Sequence, residues 1–161
     1  MGVKTKARTF VSGGGDGRTA DSKQTLGEFK LNGDTARRDE LLDEAMPGSY
    51  LGADIRYFTG MTPNTLRALI EEGFADGAER QNAAPPIAEL IGYMESHQGI
   101  SAIGYAIAPE RDDYRVSVEG LVLAFPYTDE QERSFREFCE GADELFLTNS
   151  VAGHGLRAWW D

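Results

Sequence analysis

Apolar residues recur at helical spacing in three stretches of the first part of the chain. In the clearest stretch, Thr62 supplies a cap and Pro63 suits the first helical position, because a proline lacks the N–H that this position would leave unbonded. One helical face is then marked by apolar residues three and four positions apart, at Leu66, Leu69, Ile70 and Phe74. Similar spacing predicts further helices over residues 34–46 and 85–97.

Alternation replaces helical spacing after His97. Residues 100–108 place larger side chains on one side and small ones on the other, and residues 114–125 alternate again with a bulge at Gly120. Residues 109–113 between them have the length and composition of a hairpin turn. The pattern therefore predicts an antiparallel β-hairpin.

A fourth helix and two more strands follow Pro126. Thr128 and Gln131 form a capping-box pattern, and an inward stripe follows at Phe135, Phe138, Cys139 and Ala142. Strands are predicted over 145–148 and 156–160, with a turn at 153–155. Residues 49–60 mix aromatic residues with glycines and receive no assignment.

This order of elements defines the expected fold. N-terminal helices followed by a β-β-α-β-β unit predict an α+β protein, with an antiparallel sheet and helices on one face. Residues 1–25 lack a core pattern and are expected to be a mobile basic arm, and residues 26–161 a single acidic domain. The glycines at 13–17 do not end in the Gly-Lys-Ser/Thr of a phosphate-binding loop.

Charge and composition narrow the function classes. The chain has 161 residues and a net charge of −11. Residues 1–25 carry five bases and two acids, so the remainder carries −14, which disfavours direct binding to nucleic-acid phosphates. No apolar run reaches the roughly 18 residues that span a bilayer, so no membrane contact is expected. One cysteine and no export signal predict a cytoplasmic protein without disulfides.

The residues that usually carry catalysis have structural explanations. Cys139 lies on the apolar stripe of a helix, as a core cysteine does, and His97 lies at a helix end, where histidines cap carbonyls. His154 lies in a glycine turn, and Asp112 and Asp113 suit turn initiation. The sequence therefore predicts no catalytic residue, no metal site and no cofactor.

Two groups of residues are candidates for binding. The hairpin turn combines both charges with an aromatic ring in Arg111, Asp112, Asp113, Tyr114 and Arg115, which suits an interface but also ion pairing between the strands. At the C-terminus, Trp159 and Trp160 are adjacent, so in a strand they point to opposite faces. One is expected in the core and the other under a helix, a partner or a second subunit, with Arg157 on the side of Trp159.

Part of the chain resembles a group of short proteins on conjugative elements and prophages of Gram-positive bacteria. The resemblance spans residues 60–161 and is carried by 69–76, 79–82, 104–106, 111–120 and Arg157-Ala158-Trp159-Trp160-Asp161. It implies an accessory role on a mobile element, and it brings no activity, ligand or catalytic residue with it.

The leading hypothesis is a non-enzymatic accessory protein that binds a protein partner. Its acidic body would meet a basic surface, such as the DNA-binding groove of a nuclease or defence protein. One alternative is a small enzyme or ligand-binding domain with a pocket between sheet and helices, using His97, Asp112, Asp113 or Glu119. Another is a self-associating structural protein whose homodimer covers Trp159 or Trp160.

Overall fold

A computed structural model describes residues 29–45, 54–150 and 153–161 of the chain. Five strands form one antiparallel sheet in the order β1-β2-β3-β5-β4. The elements are α1 (Thr35–Ala45), β1 (Ile55–Met61), α2 (Pro63–Glu71), α3 (Ile87–Ser96), β2 (Ile100–Ile107), β3 (Val116–Ala124), α4 (Asp129–Phe138), β4 (Glu144–Ser150) and β5 (Gly153–Trp159). The α+β class and the antiparallel sheet are confirmed. The arm predicted at residues 1–25 lies outside the described residues.

Strand β1 is the main difference from the predicted order. It lies between α1 and α2 and pairs with β2, so the helices do not all precede the sheet. The alternation was hidden because the inward position Arg56 is charged and buried, whereas the outward Tyr57 is aromatic and exposed. An irregular register between Phe58 and Met61 interrupts the pattern further.

The helix ends follow the signals in the sequence. The hydroxyl of Thr62 accepts a hydrogen bond from the N–H of Thr65, and Pro63 opens α2. At α4 the complete capping box is present, because Thr128 and Gln131 each accept from the other's backbone N–H. These bonds satisfy donors that a helix N-terminus otherwise leaves open.

All four helices contribute to one hydrophobic core on one face of the sheet. The core includes Leu42 of α1, Leu66 of α2, Leu90 of α3 and Phe135 of α4, all fully buried. On β2, the residues that face the helices have mostly small side chains, and Gly104 lies under the ring of Phe58. The buried residues of the opposite face, Ile103, Ile107 and Val122, lie outside this cluster. The helices therefore pack on one side, as predicted.

The β2–β3 hairpin also matches the prediction, including its bulge. Ile103 pairs with Gly120 and Gly104 pairs with Val118, which leaves Glu119 as an extra residue on β3. The turn predicted at 153–155 is wrong. Strand β5 already begins at Gly153, and His154 pairs with Asn149 of β4. Glycines at 153 and 155 suggested a turn, but Gly155 instead allows close approach to β3: a Cβ there would lie 2.0 Å from the Leu123 carbonyl oxygen.

Candidate functional site

The hairpin tip is a network of ion pairs that also reaches Asp54, which lies 3.8 Å from Arg111. Arg111 binds Asp113 with two hydrogen bonds of 2.7 and 2.8 Å, and Arg115 lies 3.8 Å from the same carboxylate. The hydrogen bond from Arg111 holds the pKa of Asp113 below its usual value. Asp112 is exposed and has no bond to another described residue. The opposite charges predicted at this turn therefore pair with each other within the turn.

Tyr114 anchors the hairpin to the helices. Its hydroxyl donates a 2.6 Å hydrogen bond to the carbonyl oxygen of Phe74, and the Arg38 guanidinium lies 5.8 Å from its ring. Burial raises the pKa of Tyr114. Arg115 donates a 2.9 Å bond to the hydroxyl of Tyr105. These contacts give Tyr114 a packing role within the fold.

The two C-terminal tryptophans lie on opposite sides of the sheet, as the geometry of a strand requires. Trp160 is 1 % exposed and belongs to the hydrophobic core, and its backbone N–H donates a 2.8 Å bond to the Glu119 carbonyl oxygen. Trp159 is partly exposed and pairs with Glu144 of β4 and Gly120 of β3. The ring available to another molecule is therefore that of Trp159.

A mixed aromatic and charged surface surrounds Trp159. Arg157 is on the same face and lies over the ring of its cross-strand partner Phe146, 5.7 Å from the ring centre, rather than over Trp159. Phe146 is 39 % exposed. Partial burial raises the pKa of Glu119, with Arg157 acting in the opposite direction. Both side chains line a shallow cleft of about 120 Å³ on this face.

Five exposed carboxylates lie between the end of α4 and the start of β4 and at the C-terminus, and one of them, Glu144, is the cross-strand partner of Trp159. We call them the acidic end: Glu137, Glu140, Asp143, Glu144 and Asp161. The N–H of Asp161 donates a 2.9 Å bond to the carboxylate of Asp143, which brings the chain end to the start of β4. Among the described residues, none of the five forms an ion pair. Residues 137–144 contain four acids and no base.

The residues considered for an enzyme pocket do not converge. His97 binds the Tyr93 carbonyl oxygen through Nδ1, as expected for a histidine at a helix end. Asp112 and Asp113 are at the hairpin tip and Glu119 is beside Arg157, and no bond between described residues joins any two of these groups. Cys139 is in the core, and burial raises the pKa of its thiol to about 12, which suppresses the reactive thiolate.

Within 29–45, 54–150 and 153–161, no three His, Cys, Asp or Glu side chains are grouped so that they could hold a metal ion. Within the same ranges, no helix combines the length and the apolar character needed to cross a bilayer.

The predicted binding residues form two separate groups. The hairpin tip adjoins the end of the sheet where Ala106 pairs with Val116, whereas Arg157 and Trp159 pair with Val122 and Gly120 farther along β3. The neighbours of Trp159 could not be predicted from the sequence: they are Phe146, Glu144, Asp143 and Asp161. The acidic run at 137–144 was visible in the sequence, but its position beside Trp159 depends on the pairing of β4 with β5.

Comparison with known proteins gives no match. No family model fits the chain, and no curated protein or solved structure is significantly similar to it.

Proposed function

We propose that this protein binds a partner protein through the acidic end and the adjoining ring of Trp159. The carrying observation is that five exposed carboxylates have no ion-pair partner among the described residues, and that one of them, Glu144, pairs across the strands with the partly exposed Trp159. Tryptophans are enriched among the residues that dominate binding energy. Unpaired carboxylates around such a ring favour a partner with a basic surface.

The partner class is a nucleic-acid-binding protein whose positively charged groove is accessible. A surface of carboxylates attracts such a groove over distances near the Debye length and accelerates association at low salt. The overall charge of −11 adds to this attraction. An accessory role on a mobile element and a cytoplasmic location belong to the same proposal, since a nuclease or defence protein would be met there.

The test compares two triple variants with the same net charge. The first neutralises the acidic end with Glu137→Gln, Glu140→Gln and Glu144→Gln. The control neutralises three exposed carboxylates elsewhere, with Glu44→Gln, Glu89→Gln and Glu110→Gln. Both remove three charges, so any difference between them reports the position of the charges rather than their number.

Binding is measured by fluorescence anisotropy against a panel of purified basic DNA-binding proteins, including nucleases, at low and high salt. We expect the first variant to weaken binding at least about tenfold, or about 1.4 kcal/mol, and the control to retain most of it. Duplex DNA should compete with the protein for the same groove. Equal losses in both variants, or no salt-sensitive binding to any panel member, would contradict the proposal.

Self-association through Trp159 is the competing interpretation of the same surface. A homodimer that covers the ring would place two acidic ends near each other, which costs energy through repulsion between like charges. Light scattering over a concentration series distinguishes the two. A monomer at all concentrations favours the partner, whereas a dimer that Trp159→Ala abolishes favours self-association.

A further inference from the structure

His97, Ser134 and Tyr93 form a connected hydrogen-bond chain at the contact between α3 and α4. The Nε2 atom of His97 lies 3.1 Å from the hydroxyl oxygen of Ser134, which lies 3.2 Å from the hydroxyl of Tyr93. A serine inside a helix commonly bonds a carbonyl one turn back. The Ser134 hydroxyl instead contacts two side chains, one of which is a base.

The direction of each bond follows from the acceptors. Nδ1 of His97 lies 2.9 Å from the Tyr93 carbonyl oxygen, which can only accept, so Nδ1 carries the proton. In the neutral ring Nε2 is then an acceptor, and Ser134 donates to it. The single proton of Ser134 is thereby used, so Tyr93 donates to the Ser134 oxygen. The hydroxyl of Ser134 is aimed at a base that can receive its proton.

The histidine is also held in place. Its ring packs against that of Tyr93 with centres 4.2 Å apart, and Tyr93 stacks on Phe138 at 3.8 Å with the planes nearly parallel. A base that is fixed by a hydrogen bond on one nitrogen and by stacking has little freedom to lose when it acts. The carbonyl of Tyr93 takes the orienting role that an acid plays in a catalytic triad.

Ser134 and His97 line a surface cleft of about 520 Å³, which is large enough for a small molecule. Its lining residues are Ser96, His97, Gln98, Glu130, Gln131 and Ser134. The side-chain oxygen of Gln131 is occupied by the capping bond from Thr128, and its amide N–H groups have no acceptor among the described residues. Glu130 supplies the one acidic side chain of this lining, which disfavours anionic substrates.

We propose that Ser134 and His97 are a nucleophile and base for hydrolysis of small neutral or cationic carboxylic esters in this cleft. The Ser134 oxygen bonds to the ester carbonyl carbon while its proton passes to Nε2 of His97. The carbonyl electron pair moves to oxygen, where the amide N–H groups of Gln131 are the available donors. Collapse breaks the bond to the alcohol, which leaves with the proton from Nε2.

Water completes the reaction. It adds to the acyl carbon of the Ser134 ester while its proton passes to Nε2, and the carboxylic acid leaves as Ser134 regains that proton. The balance is one ester and one water to one acid and one alcohol, with no other reactant. No carboxylate of the acidic end lines this cleft, although Glu137 acts electrostatically on Tyr93. Partner binding and labelling of Ser134 are separate measurements, so the failure of one proposal can be told from the failure of the other.

The test uses a neutral fluorophosphonate probe and p-nitrophenyl acetate. Wild-type protein should gain one covalent adduct that peptide mapping assigns to Ser134, and it should release p-nitrophenol. Ser134→Ala should abolish both, and His97→Gln should slow labelling by roughly 10²-fold. The matched control is Ser101→Ala, because Ser101 lies on β2 and does not line this cleft. It should label like the wild type.

If Ser134 had only a structural role, the fluorophosphonate would not label it in the wild-type protein. Labelling of the wild-type protein therefore tests the proposal even where a variant fails to fold. Gln131→Glu is the second probe, since glutamate retains the capping acceptor but lacks the N–H donors. We expect it to slow ester hydrolysis roughly 10- to 100-fold without lowering the melting temperature. No adduct on Ser134, or labelling of Ser134 that His97→Gln leaves unchanged, would overturn the proposal.

Discussion

Two carboxylates of the helical layer, formed by α1, α2 and α3, are bound by arginines, whereas those of the acidic end are not bound by any described arginine. In the helical layer Arg37 binds Glu72 and Arg67 binds Glu95, each through two hydrogen bonds of 2.9 Å or less. At the acidic end, none of the five carboxylates has a cationic partner among the described residues. The two tryptophans also differ in how far they are used by the fold. Trp160 is buried in the core, whereas Trp159 is partly exposed and pairs with Glu144 of the acidic end.

This contrast separates the residues that hold the fold from those that remain available to a partner. A carboxylate bound to arginine is partly neutralised, and its side chain is fixed against a neighbouring helix. A carboxylate without a partner keeps its full field and its freedom to move. The difference predicts that substitutions in these two ion pairs change stability, whereas those at the acidic end change binding.

The largest expected effect is that of Trp160→Ala. The ring is 1 % exposed in the hydrophobic core, so its loss should lower the free energy of unfolding by about 3–5 kcal/mol. Trp159→Ala is the matched control, because the partly exposed ring should cost only roughly 1 kcal/mol of stability while weakening partner binding. Urea unfolding measures both. Equal losses of stability in the two variants would remove the distinction between the two faces.

Gly104→Ala tests the packing of the sheet against the helices. An added Cβ would lie 2.0 Å from the Ser117 carbonyl oxygen and 2.8 Å from the Phe58 ring. Because both must shift, we expect a loss of about 3 kcal/mol. The control Gly92→Ala meets nothing within 4 Å on α3 and should stabilise the protein by about 0.5–1 kcal/mol. Thermal unfolding of both variants checks the opposite signs, and a stable Gly104→Ala variant would contradict the close approach.

A feature of this fold can be predicted from the sequence when the interaction that creates it joins residues close together in the chain. The caps at Thr62 and Thr128 were predictable because each acts within three residues of chain. Strand β1 was not, since its inward Arg56 is stabilised by ion pairs with α1 that only the folded chain creates. The contact between His97 and Ser134 joins residues 37 positions apart and leaves no spacing signal.

The smallest predicted effect concerns the paired carboxylate Glu72, and it appears only in acid. The hydrogen bond from Arg37 lowers the pKa of Glu72 from the usual 4.5 in the folded protein. A lowered folded-state pKa contributes stability that is complete above the unfolded-state pKa and is lost as the pH falls through the folded-state value. Stability should therefore decline as the pH falls below about 4.5. Glu72 is partly exposed, so solvent keeps the effect small.

Urea unfolding between about pH 6 and about pH 3 measures this decline. Glu72→Gln removes the titrating group and should make the profile flatter, and Arg37→Gln should flatten it in the same range because the cause of the pKa shift is gone. The double variant should match either single one, since the two substitutions remove the same interaction. If Arg37→Gln left the slope unchanged, the carboxylates of the helical layer would be no better matched in solution than those of the acidic end.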